Sequence, residues 1–212
     1  MSLPEILPVF SVRSTILMPH AHLPIVMLRD DFYSISSEVI ESNIIAIMQP
    51  NPMLGNLRDV SATFKTGCAG KIMEVDFSGS DVAISVLGVC RFEVVRDFPP
   101  DIAGIERVQV SYEKFAVDME SQYDDADGVE KKRLVRALNG YFRSMDMLPS
   151  WPDMERIPLD ALVSAITMTC PLHPSEKQSL METVDIKSRS DLVTRIVEIN
   201  ALDSHNTSST IN

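Results

Sequence analysis

The apolar residues of this 212-residue chain recur every second position in its first half and every third or fourth in its second half. That change of period constrains the fold more than any other feature. A period of two places one face of a pleated strand in a core, and a period near 3.6 does the same for a helix. Strands gathered first and helices afterwards predict an α+β protein. Between residues 71 and 77, Met73, Val75 and Phe77 alternate with Glu74 and Asp76. The turn cluster Ser78-Gly79-Ser80-Asp81 follows, and Val82, Ile84 and Val86 resume the alternation. Gly88 interrupts; Cys90, Phe92 and Val94 then alternate with Arg91 and Glu93, and Val108, Val110 and Tyr112 repeat the pattern. Short strands at hairpin spacing predict an antiparallel barrel or sandwich. One helix is inserted, with Phe32, Ile35, Val39 and Ile40 at helical spacing behind Asp30 and Asp31.

Past residue 125, Leu134, Val135, Leu138, Tyr141, Phe142, Met145 and Leu148 form one apolar stripe, behind Asp124, Asp125 and Asp127. A helix of about 20 residues, roughly 30 Å long, accounts for it. Lys131, Lys132, Arg133 and Arg136 lie along this helix. Pro158 opens a second helix with Leu159, Leu162, Val163 and Ile166, and Pro174 a third with Leu180 and Met181. Ser188 or Ser190 precedes a fourth with Leu192, Val193, Ile196 and Val197. The expected organisation is a β lobe over residues 5–118, a helical-bundle lobe over 125–203 and a disordered polar tail over 204–212. The acidic stretch from Glu113 to Gly128 is the expected joint.

The segment Cys170-Pro171-Leu172-His173-Pro174-Ser175-Glu176-Lys177-Gln178-Ser179-Leu180-Met181-Glu182 ends one helix and starts another. Pro171 cannot continue a helix, Pro174 suits a first helical turn, and Glu176 complements the helix dipole there. The net charge of −11 disfavours nucleic acid and anionic membranes as partners and makes proteins the expected ones. No apolar run approaches the ~20 residues of a membrane helix, and the first residues lack the basic and apolar regions of a secretory signal, so the expected location is the cytoplasm. Cys68, Cys90 and Cys170 have neither disulfide-scaffold nor zinc-ribbon spacing and read as buried apolar residues.

Four segments, taken in order, resemble the N-terminal, substrate-binding domain of Lon proteases of bacterial type. They are Leu7-Pro8-Val9-Phe10 with Met18-Pro19 and Leu23-Pro24-Ile25, then Gly67-Cys68-Ala69-Gly70-Lys71-Ile72, then Leu87-Gly88-Val89-Cys90-Arg91-Phe92, and last the helical corner above. The resemblance covers about residues 5–203. It implies a PUA-like β-barrel, a helical bundle, and recognition of polypeptides. The chain departs from the family pattern at Phe10-Ser11, at His20, where glycine follows the proline, and at Leu28-Arg29-Asp30-Asp31-Phe32. The ATPase and Ser–Lys peptidase domains of the full protease have no place within these residues. The expected protein is therefore a stand-alone, non-catalytic member without cofactor or metal.

Other chemical signals are weak. Gly67-Cys68-Ala69-Gly70-Lys71 is too short for a phosphate-binding loop and is followed by Ile72 instead of Ser or Thr. Ser111-Tyr112-Glu113-Lys114 and Lys65-Thr66-Gly67 match penicillin-binding motifs in the wrong order. His20 and His22 have no partners that complete a zinc site. Asn206-Thr207-Ser208 is a formal glycosylation sequon without an export signal. The twelve methionines suit either core filling or an adaptable surface. The candidate protein-binding residues are Met18, His20, His22, Met48, Met53 and Leu54 at one barrel end, and Tyr112, Phe115 and Trp151 at a groove between the lobes. The expected function is binding of unfolded or partner polypeptides, as an adaptor to an ATP-dependent protease or chaperone. The alternatives are a PUA-type RNA-binding module and, with no assembled dyad or triad in its favour, a small hydrolase.

Overall fold

A computed structural model describes residues 3–13, 15–39, 42–54, 62–102, 104–120, 128–145, 147, 154 and 156–208. Six strands precede most of the helices: β1 (Ile6–Ser11), β2 (His22–Met27), β3 (Ile44–Met48), β4 (Thr66–Asp76), β5 (Val82–Phe98) and β6 (Arg107–Ser111). The helices are α1 (Arg29–Val39), α2 (Val129–Ser144), α3 (Leu159–Thr169), α4 (Pro174–Glu182) and α5 (Ile186–Ser208). The mixed α+β class is as the change of period predicts.

The sheet order is β2-β5-β4-β3-β1-β6, and β5 also pairs with β6. Hydrogen bonding therefore runs through β5, β4, β3, β1 and β6 and returns to β5. The length of β5 makes this return possible. Its first half, Val82 to Leu87, pairs with β2, and its second half, Glu93 to Phe98, pairs with β6. Gly88 does not break the strand. Instead the register shifts between Ala69 and Gly70, so that Gly70 faces Gly88 and Val89 is the extra residue of a bulge. One pairing departs from the antiparallel expectation: β1 and β3 run parallel.

β3 is the run Ile44-Ile45-Ala46-Ile47-Met48, buried along its whole length. Ile45 and Ile47 belong to one core with Ile16, Leu17, Met18, Leu23, Ile25, Val82, Ile84 and Val86. Ile44, Ala46 and Met48 belong to a second core with Leu7, Phe92, Val108 and Val110. A strand with apolar neighbours on both faces has no polar positions, which is why a search for alternation passes over it.

The residues group into two compact units: 1–120 with 168–182, and 121–167 with 183–212. The division differs from the contiguous lobes expected. Helix α4 belongs with the strands, because its side chains bond to that unit. The Gln178 amide donates to the Thr66 carbonyl (3.1 Å) and to Glu182 Oε1 (2.8 Å), and Lys177 Nζ donates to the Met168 carbonyl (3.0 Å). The expected joint is also part of this unit at its start. Residues Glu113–Met119 form 3-10 turns in which Phe115 and Asp118 are buried. The rest of that stretch, 121–127, lies outside the described residues, as do Ile40 and Leu148.

The Asp118 carboxylate is inside because it neutralises Arg91. Arg91 has no exposed surface. Its Nε and Nη2 donate to the two carboxylate oxygens at 2.8 and 2.7 Å, and its backbone N–H donates to Oδ2 at 3.0 Å. Nη1 donates to the Met181 carbonyl of α4 at 2.9 Å, and the guanidinium carbon lies 4.4 Å from the centre of the Phe115 ring. One buried cation thus joins β5, the 3-10 segment and α4.

In the second unit, α2 buries Leu134, Ala137, Leu138, Tyr141 and Phe142. Arg133 pairs with Asp191 of α5. Helix α5 starts earlier than predicted because Asp185 caps it, its carboxylate accepting the Ser188 N–H at 2.8 Å. It continues to Ser208, past the boundary placed at residue 203.

Two stability measurements follow. Asp118→Ala leaves the Arg91 charge buried without its carboxylate, and urea unfolding should show a loss of about 3–5 kcal/mol. A Cβ on Gly88 would lie 2.0 Å from the Met18 carbonyl oxygen. Gly88→Ala should therefore cost about 1–3 kcal/mol, read as a lower urea midpoint at unchanged slope.

Candidate binding surface

The helical corner explains how its sequence works. His173 stands at the N-cap of α4, where its Nδ1 accepts the Ser175 N–H (3.3 Å), and Glu176 Oε2 accepts the His173 N–H (2.7 Å). This is a reciprocal capping box with histidine in the usual place of serine or threonine. Lys177, Gln178, Leu180 and Met181 are buried. These four family-like residues of the corner therefore build the fold and are not available to a ligand.

Three of the predicted binding residues belong to the interior as well. Met18 and Met48 are core residues with no more than 1% exposure, and Phe115 lies fully buried against the Arg91 guanidinium. Met18 is held inside because its segment crosses Gly88: the His20 N–H donates to the Gly88 carbonyl and the Gly88 N–H to that of Ala21, each at 2.9 Å. Tyr112 is half-buried and donates its hydroxyl to the Pro4 carbonyl at 2.7 Å. Trp151 lies outside the described residues.

Four predicted residues are exposed, but the sheet register does not gather them at one end. His22 faces Leu87, Leu87 faces Lys71, and Lys71 faces Ile44 at the start of β3. Met48, four residues along β3, is roughly 13 Å from that row. The two histidines turn to different partners. His20 Nε2 lies 3.1 Å from the Asp118 carbonyl, and His22 Nδ1 lies 3.4 Å from Ser85 Oγ. His20 has a φ of 61°, in the left-handed region that favours glycine, the residue that the family pattern has there. Met53 and Leu54 project from the 3-10 turn Pro52–Leu54, at 88% and 56% exposure. Asn51 fixes that turn, its side-chain oxygen accepting the Met53 N–H and its carbonyl the Leu54 N–H.

A second apolar surface was not singled out as a site from sequence. Tyr33 on α1 stacks on Phe77 at the end of β4, with ring centres 6.3 Å apart and 20° between the planes. Both rings are open to solvent, at 55% and 41% exposure. Phe32 meets Phe77 edge-on at 5.4 Å and joins the pair to the core. Met73 and Val75, which alternate with charged residues as a strand should, are also exposed. The signal was present in that alternation, since its apolar face extends beyond what the core covers. Arg29 holds the arrangement. Its guanidinium donates to the carbonyls of Phe77, Gly79 and Ser80 at 2.7–3.0 Å, tying the β4–β5 turn to the start of α1. The departure at residues 28–32 thus supplies the arginine that sets this surface.

The three cysteines are buried and poorly ionised. Burial pushes the Cys90 thiol up to about 12 and the Cys170 thiol up to about 11, and it raises Cys68 further. Among the described residues, no cluster of three His, Cys, Asp or Glu is placed to hold a metal ion. No described helix is long and apolar enough to cross a membrane. The three thiols should resist a thiol reagent at neutral pH until the protein unfolds. The raised Cys90 value means that its burial supports folding below the unfolded value of 9.0, and that this support is lost as pH rises from there towards about 12. Urea titrations across that window should show stability falling, less steeply for Cys90→Ala.

The comparisons agree with the geometry. Residues 6–198 match the family model described as the ATP-dependent protease La (LON) substrate-binding domain. The chain is 24% identical over 204 residues to a Lon protease of Dictyoglomus thermophilum, aligning 91% of this chain with 24% of that protein. It is 21% identical over 206 residues to Lon protease 2 of Myxococcus xanthus, with 92% of this chain on 24% of that protein. The chain therefore spans about a quarter of the length of these curated relatives. Among solved structures, the N-terminal domain of a Mycobacterium avium complex Lon protease superposes with a TM-score of 0.64 at 20% identity, covering 93% of this chain and 98% of that one. A Lon N-terminal domain protein from Xanthomonas campestris gives 0.62 at 15% identity, covering 89% and 96%. These likenesses show a shared fold. With the family match extending over nearly all of its residues, the chain belongs to the Lon substrate-binding domain family.

Proposed function

We propose that this chain is a non-catalytic polypeptide-recognition module that takes up unfolded or partner proteins and serves an ATP-dependent protease or chaperone as an adaptor. The observation that carries the reading is the family match over residues 6–198 to a substrate-binding domain. In this reading the closed circuit of strands is a PUA-like barrel that acts as a rigid frame. The recognition surface is the exposed apolar set Tyr33, Val75 and Phe77, with Met53 and Leu54 as a second apolar element. Aromatic and methionine side chains suit this task, since they bury much area and adapt to varied partners. Exposed apolar area also gains most from segments that a folded protein hides, which favours unfolded clients. The net charge of −11 opposes the RNA-binding alternative.

The test is fluorescence anisotropy with a labelled, permanently unfolded polypeptide, its folded counterpart and single-stranded RNA. Saturable binding of the unfolded chain alone is the expected result, and binding of RNA alone would overturn the reading. The combined variant Tyr33→Ser, Val75→Ser, Met53→Ser and Leu54→Ser should weaken binding at least tenfold, about 1.4 kcal/mol, without loss of the fold by circular dichroism. Unchanged affinity in that variant would remove the surface assignment.

A further inference from the structure

Helix α2 carries a one-sided distribution of charge that the apolar surface does not account for. Lys132, Arg136, Asn139 and Arg143 follow one another at intervals of four, three and four residues. At 100° per residue they share one narrow arc of the helix. Leu134, Leu138, Tyr141 and Phe142, the buried residues, occupy the opposite side. The three cations are exposed, and no carboxylate stands on their arc. The one acidic residue of the helix, Glu130, lies elsewhere around it and pairs with Lys187. Arg133, off the arc, pairs with Asp191. Among the described residues, Lys132, Arg136 and Arg143 have no ion-pair partner. They line a groove of about 710 Å³ together with Val135, Asn139 and Gly140.

Three cations on one arc without an ion-pair partner among the described residues are unexpected in a chain of net charge −11, where carboxylates outnumber basic residues. Charge complementarity indicates an anionic occupant. Lys132 to Arg143 spans eleven residues, roughly 16 Å of helix. That length matches an extended peptide of about six residues, whose side chains on one face repeat every ~6.6 Å. Val135 and Gly140 add apolar and open space beside the cations, and the Asn139 amide can both donate and accept to a peptide backbone. A nucleic acid fits less well, because such binding rests on about 6–10 neutralised phosphates and this face offers three cations.

We propose that the outer face of α2 is a docking site for an acidic segment of a partner protein, in which alternate carboxylates meet Lys132, Arg136 and Arg143. The site is separate from the apolar surface of the other unit, so one can fail while the other stands.

The probe is a fluorescein-labelled peptide of alternating glutamate and alanine, with its glutamine counterpart, a single-stranded RNA and phosphatidylserine vesicles as comparisons. The glutamate peptide should bind saturably and at least tenfold more tightly than the glutamine peptide. Its affinity should fall as salt rises from about 50 to 200 mM, as screening of exposed charges requires. Arg136→Glu with Arg143→Glu should lower that affinity at least tenfold, while Lys71→Glu on β4 leaves it unchanged. Circular dichroism of the charge-reversed protein guards against loss of fold. Equal affinity for the two peptides, no binding of either, tighter binding of RNA or vesicles, or indifference to the charge reversal would each overturn the proposal.

Discussion

A guanidinium with no exposed surface is costly unless each of its donors has a partner, and Arg91 organises the strand-bearing unit around that requirement. The Asp118 carboxylate supplies charge and two acceptors, the Met181 carbonyl supplies a third, and the Phe115 ring covers one side. Arg91 and these partners come from three segments of the chain, β5, the 3-10 segment and α4. The 3-10 segment cannot serve as a free linker while it provides Asp118, and α4 cannot leave the strands while it provides Met181. Removal of either partner exposes the same cost, so the interaction specifies the arrangement more than it adds to the net stability.

The same economy governs what remains outside. Lys177 and Gln178, polar residues that a helix would ordinarily show to solvent, are turned inward to bond carbonyls of Met168 and Thr66. Arg29 does the opposite. It stays at the surface and gathers the three carbonyls of the β4–β5 turn, which leaves Tyr33 and Phe77 stacked and exposed to solvent. Two arginines thus perform contrasting tasks. One is buried and closes the interior, and the other is exposed and holds an apolar surface in position.

Some elements were legible from local chemistry. The alternation at Met73, Val75 and Phe77 marks a strand, and the prolines at 171 and 174 mark the corner between α3 and α4. Those signals live in neighbouring residues, where backbone sterics and side-chain period act directly. The candidate site was much less legible. Met18 and Met48 read as binding residues at one barrel end, yet both are core, and Phe115 read as a groove residue although a guanidinium lies over it. Tyr33 and Phe77 are 44 positions apart, and no local pattern relates them.

By itself the sequence determined the α+β class, the gathering of strands ahead of most helices, and membership of the Lon substrate-binding family, because periodicity, proline positions and short motifs are properties of adjacent residues. Only the tertiary structure decided that β1 and β3 are parallel, that α4 joins the strands, and that Arg91 and Asp118 meet in the interior. It also decided which methionines are open to a partner. Burial depends on what the rest of the chain brings to a side chain, and methionine, equally at home in a core or at a surface, carries no mark of which it will meet.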